Sequence, residues 1–191
     1  MMPDVPNLSA PPMPADFLAP HNRTKAALVD YARGGVALLD SSQGLNVKTW
    51  TCEARGDGVF LSAPAVAEFR IETIPENPLW VSIAFDQNMH YHVAYILEEL
   101  GAFFYYYDAT GERYNVLELG EVITPIIRMD DVRKEALADC ELILSYIREN
   151  KLCIRLQRDR FGVEYVIADG VGEAILQCGM NIMRRFQWDV E

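Results

Sequence analysis

Six residues recur at one fixed offset, and that recurrence restricts this chain more than any other feature. Tyr95, Ile96, Glu98, Asp108, Gly111 and Tyr114 return as Tyr146, Ile147, Glu149, Asp159, Gly162 and Tyr165, each 51 residues later and without a gap. The residue types make structural sense together. Tyr and Ile end one strand, and Glu opens the turn to the next. Asp then offers a side-chain acceptor for the following turn, and Gly a position with positive φ. A repeat of about 50 residues made of short antiparallel strands is the size of one propeller-type blade. Two such units, at about 80–115 and 139–167, are too few to close a propeller. Either they pack as a small sandwich or their edges meet copies from other subunits, so the repeat predicts a homo-oligomer.

Around the repeat the apolar residues alternate. Val47 to Cys52 alternates, Arg55 to Gly58 supplies a glycine-rich turn, and Val59 to Leu61 returns, which reads as a hairpin. Phe69 to Ile74 alternates again and stops at Pro75. Trp80 to Phe85 sets Val81, Ile83 and Phe85 on one side, and Val93 to Leu97 follows a polar turn at Asp86 to Asn88. Phe103 to Tyr107 runs into a turn at Asp108 to Gly111. Leu142 to Ile147 and Leu152 to Arg158 add two strands, with Asp130 to Glu141 read as a loop feeding the first. Phe186, Trp188 and Val190 alternate with polar neighbours as a half-buried terminal strand. Short strands at this spacing indicate an antiparallel meander and not a βαβ fold.

The start of the chain is different. Pro3, Pro6, Pro11, Pro12, Pro14 and Pro20 fall within the first twenty residues, where they rule out a helix or an inner strand. Residues 1–21 are therefore expected to be an extended arm. Pro3, Val5, Leu8, Met13, Phe17 and Leu18 are its candidate contacts, since a purely solvated linker needs no such apolar side chains. Asn22 or Thr24 caps a short helix predicted over about 25–33, which Gly34 and Gly35 end. Residues 22–191 are read as a single β-rich domain. The predicted class is mostly β: antiparallel meanders in two or more propeller-blade-like repeats, one short N-terminal helix and an extended Pro-rich arm.

Half the residues are hydrophobic, enough for a core without disulfides or metal. A formal net charge of -11 disfavours a phosphate backbone as partner and promotes solubility. Cys52, Cys140, Cys153 and Cys178 show no CxxC spacing and sit in apolar contexts, as reduced core thiols would. No basic and apolar leader pattern opens the chain, and the longest apolar run, Gly101 to Tyr107, is too short for a membrane span.

The chemistry on offer is sparse. His90 and His92 lie two apart with Asp86 and Asn88 nearby, but a third fixed metal ligand is not evident. Asp86-x-Asn88 falls short of a calcium loop, and nothing sets Glu98-Glu99 or Asp130-Asp131 across a pocket. No GxSxG, HExxH or GxxxxGK[ST] motif occurs. No catalytic residue, metal or cofactor is therefore expected. Tyr105, Tyr106 and Tyr107 offer either packing or a sugar-binding platform, and Tyr105 and Tyr106 join the candidate contact residues.

Gly34 to Pro64, Ser82 to Tyr95 and Leu142 to Tyr165 resemble virion and tail structural proteins of short-tailed bacteriophages. Ala84 to Met89 and Gln157 to Phe161 are the most distinctive pieces, and the likeness runs from about Gly34 to Met183. The resemblance implies β-propeller-type motifs and a non-catalytic part in the tail or neck, made in the host cytoplasm and carried in the virion. It implies contacts with copies of itself and with portal, adaptor, nozzle or fibre proteins. Sequence-specific nucleic acid and membrane insertion are not expected. A receptor- or carbohydrate-binding module at the tail tip is the alternative.

Overall fold

The computed structural model describes residues 34–40, 47–63, 66–86, 90–129, 141–172, 176–180 and 186–190. Every strand pair in them is antiparallel. The first sheet runs in chain order through β1 (Gly34–Asp40), β2 (Val47–Arg55), β3 (Gly58–Ala63) and β4 (Val66–Arg70). The second repeats that order with β5 (Pro78–Phe85), β6 (Tyr91–Leu97), β7 (Gly101–Asp108) and β8 (Arg113–Gly120). The third does so with β9 (Ile123–Met129), β10 (Leu142–Arg148), β11 (Lys151–Leu156) and β12 (Tyr165–Asp169). A ribbon of β13 (Leu176–Met180) and β14 (Phe186–Val190) follows.

The 51-residue offset has a direct structural meaning. Tyr95 and Tyr146 are both buried on the second strand of their sheets, and Glu98 and Glu149 both stand in the turn that follows. Asp108 ends the third strand of its sheet, Asp159 ends the 3-10 turn that follows the third strand of the next, and Tyr114 and Tyr165 belong to the fourth strands. The first sheet has the same meander with only Asp57 matching at the 51-residue offset, so the architecture repeats once more than the recurrence reveals.

Alternation along the strands decides how the sheets stack. On the second sheet Val81, Ile83, Phe85, Val93, Tyr95, Leu97 and Tyr105 pack with Cys52, Val59 and Leu61 of the first. The intervening residues Ala84, Ala94, Ala102 and Phe104 pack with Ile127, Leu144, Tyr146 and Cys153 of the third. The third sheet turns Ile143, Ile154 and Leu156 the other way, towards Trp188 of the ribbon. Each sheet is thus a layer, and the second is apolar on both faces.

The layers meet through their first strands, with β5 against β1 and β9, and β9 against β13. Polar stitches fix that seam. Trp80 Nε1 donates to the Pro125 carbonyl at 2.9 Å, and Ser82 Oγ accepts from the Ile127 amide and from Arg128 Nη1, both at 3.2 Å. Trp188 Nε1 donates to Ser145 Oγ at 2.8 Å.

At the far side lie the fourth strands, and each has a bulge against its neighbour: β4 against β3, β8 against β7 and β12 against β11. Bulges bend a free edge away from flat pairing with another chain. The outer face of the first sheet is polar. Arg55 bridges Glu53 and Glu68 there and lies 4.5 Å above the Phe60 ring.

Several expectations need correction. The strand expected over Phe69 to Ile74 is β4, which ends at Arg70. Ile71 and Ile74 are buried from a turn closed by the Ile74 amide on the Ile71 carbonyl, so their alternation comes from a turn and not from a pleat. Gly111 and Gly162 do not supply positive φ; Glu112, Arg160 and Phe161 do. The strand expected over Leu152 to Arg158 stops at Leu156 in a 3-10 turn over Gln157–Asp159. The arm over 1–21, the helix over 25–33 and the loop over 130–140 lie outside the described residues, and the sheets do not form a closed ring.

Replacing Ser82 with alanine strands the buried Ile127 amide and takes a partner from Arg128. The variant is expected to lose about 2 kcal/mol of unfolding free energy in a urea titration.

Candidate functional site

Tyr105 and Tyr106 illustrate how little of the aromatic strand is free to meet a ligand. Tyr105 is buried and lies parallel to Tyr114 at 4.7 Å, with Tyr91 also stacked on Tyr114 at 4.9 Å. Tyr106 points the other way and is half-buried. It lies parallel to Phe104 at 5.4 Å and meets Phe161 edge-on at the same distance. Tyr107 is covered by the His90 ring at 3.6 Å. Strand alternation therefore sends the three tyrosines into two different layers, and a single platform does not form. Pro3, Val5, Leu8, Met13, Phe17 and Leu18 lie outside the described residues.

Tyr106 and Tyr107 do line a small cleft where the β7–β8 turn of the second sheet meets the turn after β11 of the third. Asp108, Thr110, Gln157, Arg160 and Phe161 complete its wall. Asp108 organises the junction: its carboxylate accepts from Arg160 Nη2 at 2.7 Å and from the Thr110 amide at 3.0 Å. Desolvation pulls the Asp108 carboxyl up, but Arg160 and the turn amides outweigh it and hold the group below its ordinary value. The expected turn acceptor is thus also an inter-sheet tie.

A second charged cluster was not anticipated from the sequence. Glu164 accepts from the Tyr146 hydroxyl and from Arg148, and from Arg155 Nη2 at 3.3 Å. Arg155 also donates to the Tyr146 oxygen at 2.7 Å and to the Phe161 carbonyl at 2.8 Å. Arg148 reaches across to the Leu119 carbonyl of β8. Burial raises the Glu164 carboxyl, but Tyr146, Arg148 and Arg155 outweigh it and lower the group overall. The available signal was Arg155, in phase with Cys153 on the inward face of β11: an inward arginine needs an inward carboxylate.

The third group is the β5–β6 turn. Asp86 Oδ1 accepts the His90 amide at 2.9 Å, and the Asp86 amide donates to the His90 carbonyl at 3.0 Å. Asp86 Oδ2 lies 3.2 Å from His90 Nδ1 and 3.5 Å from His92 Nε2. His92 is fully buried, with Phe104 and Phe161 at 6.1 and 6.0 Å, and its Nδ1 has no hydrogen-bond partner. That orphaned nitrogen fits a neutral ring donating through Nε2. A metal on Nε2 would move the proton to Nδ1, where it would meet only apolar surroundings, whereas a ligating histidine normally donates its second N–H. Among the described residues no group of three or more His, Cys, Asp or Glu is arranged to hold a metal.

Cys52 and Cys153 are buried, and burial pushes both thiols above their ordinary value. Glu98 and Glu99 are exposed on the β6–β7 turn, and Asp130 and Asp131 lie outside the described residues.

Glu164→Gln is expected to cost about 2 kcal/mol, because Arg148 and Arg155 lose their shared counter-charge, and Tyr146→Phe about 1 kcal/mol. The folded Glu164 carboxyl is lowered, so its contribution is present above an unfolded value of about 4.3 and is lost as pH falls further. Urea titrations at neutral pH and below about pH 4 should show the gap between wild type and Glu164→Gln narrowing in acid. No protein-family model, curated protein or solved structure matches this chain.

Proposed function

We propose that this chain is a non-catalytic structural component of a bacteriophage tail or neck. The observation that carries the assembly reading is the serial stack: meander after meander, joined through β1, β5, β9 and β13. In the propeller-type reading that run of first strands corresponds to the inner strands of successive blades, and the ribbon to part of a further one. Stacks of this kind supply rigid surface, and the Asp108, Glu164 and His92 clusters each have a packing task at the seam between the second and third sheets.

The phage assignment rests on the resemblance of Gly34 to Pro64, Ser82 to Tyr95 and Leu142 to Tyr165. Its partners would be copies of itself and portal, adaptor, nozzle or fibre proteins. Bulged fourth strands disfavour edge-to-edge pairing, so the arm at 1–21 is the better candidate for reaching a neighbour.

The second reading, a carbohydrate or receptor reader, is favoured by the cleft with Tyr106, Thr110, Gln157 and Arg160 in its wall. That reading predicts saturable glycan binding weakened by Tyr106→Ala; the assembly reading predicts none.

Removing residues 1–20 should leave melting of the domain unchanged while incorporation into particles falls at least about tenfold, a loss of about 1.4 kcal/mol of association. Quantitative blotting of purified particles reads the outcome, and normal incorporation would defeat the arm's role.

A further inference from the structure

We propose that Asp86, His90 and His92 form an acid-opened latch on the seam between the second and third sheets. The latch is one carboxylate oxygen shared by two imidazoles of unequal exposure. His90 is about one-third exposed beside Asp86, whereas His92 is sealed between the layers. Asp86 also ties the two ends of the turn: its Oδ1 accepts the His90 amide and its own amide donates to the His90 carbonyl, so whatever moves its carboxylate breaks the first of these bonds.

The orphaned Nδ1 makes the device one-directional. A proton taken from solvent has to be placed there, adding a charge and an unsatisfied donor next to Phe104 and Phe161. The imidazolium gains stability by swinging to water, and the Asp86–His90 bonds and the His92 aromatic contacts open with it.

The other charged groups at this seam do not compensate. Asp86 at the end of β5 is shared with His90. Tyr106 and Tyr107 of β7 bring only phenols. From the third sheet, Arg160 is paired with Asp108, and Arg155 is held by Glu164, Tyr146 and the Phe161 carbonyl.

The sign follows from burial. Desolvation lowers the His92 imidazole and outweighs the opposing pull of Asp86. A group lowered on folding stabilises above its unfolded value, about 6.5 for histidine, and that stability is lost as pH falls through the folded value. Opening therefore begins below about pH 6.5. Asp86 is itself lowered: burial raises it, but bonds from His92 and His90 prevail, so it stays charged through this window.

Hydrogen exchange of the full chain, corrected for intrinsic rates, is to be measured between about pH 7.5 and 5.5. Amides of residues 91–94 and 104–106 should lose protection about tenfold, or 1.4 kcal/mol of local opening, while those of β2–β3 hold. His92→Phe, which fills the same slot without a titrating nitrogen, should show no such loss. If that variant fails to fold, the imidazole signals of the wild type decide, and His92 should gain solvent contact over the same range. Unchanged protection, equal loss in His92→Phe, uniform loss across all sheets, or a His92 ring still sealed at the low end would each overturn the latch.

Discussion

Strands β5, β6 and β7 of the second sheet carry buried residues on both faces, and the rest of the molecule depends on that. A sheet of this kind cannot be solvated on either side, so it requires a layer above and another below. β6 shows the requirement most clearly: Val93, Tyr95 and Leu97 enter one core while His92 and Ala94 enter the other. Each core excludes water only when both of its sheets are present. The Ser82 stitch to the third sheet is then buried and has no competing solvent, and the Trp80 stitch is partly shielded, which makes them specific.

Much of the strand pattern was legible because alternation and turn chemistry act locally. The hairpins around Arg55 to Gly58 and Asp108 to Gly111, the one-sided set Val81, Ile83 and Phe85, and the terminal strand through Trp188 all follow from period-two reasoning. The repeat located two sheets but missed the first, where only Asp57 matches at the same offset. β9 was hidden by Pro125, which takes part in the strand as an acceptor for Trp80 while its neighbour Thr124 adopts positive φ at an irregularity in the pairing with β10. Gly111 and Gly162 were assigned a backbone role that Glu112, Arg160 and Phe161 perform, because turn composition does not fix which residue turns left-handed.

The candidate sites were less legible than the strands, for a reason of distance. Asp108 meets Arg160, and Arg148 meets the Leu119 carbonyl, only after two sheets have stacked. Tyr105 to Tyr107 suggest a platform when read as consecutive letters, yet a pleat separates them into opposite layers. The sequence set His90, His92 and Asp86 close together, and both rings do reach one Asp86 carboxylate oxygen. What the letters do not contain is the depth of burial that makes the two rings unequal.

The order in which the first strands touch has a consequence for how such a chain is made. β1 meets β5, β5 meets β9 and β9 meets β13, so each layer docks on the one synthesised just before it. No described layer waits for a segment at the opposite end of the sequence to complete its contact. Each four-stranded meander closes its own pairs locally before docking. The route to the native state can therefore follow synthesis from the ribosome, layer by layer, with loop-closure entropy kept to the span of a single repeat at every step.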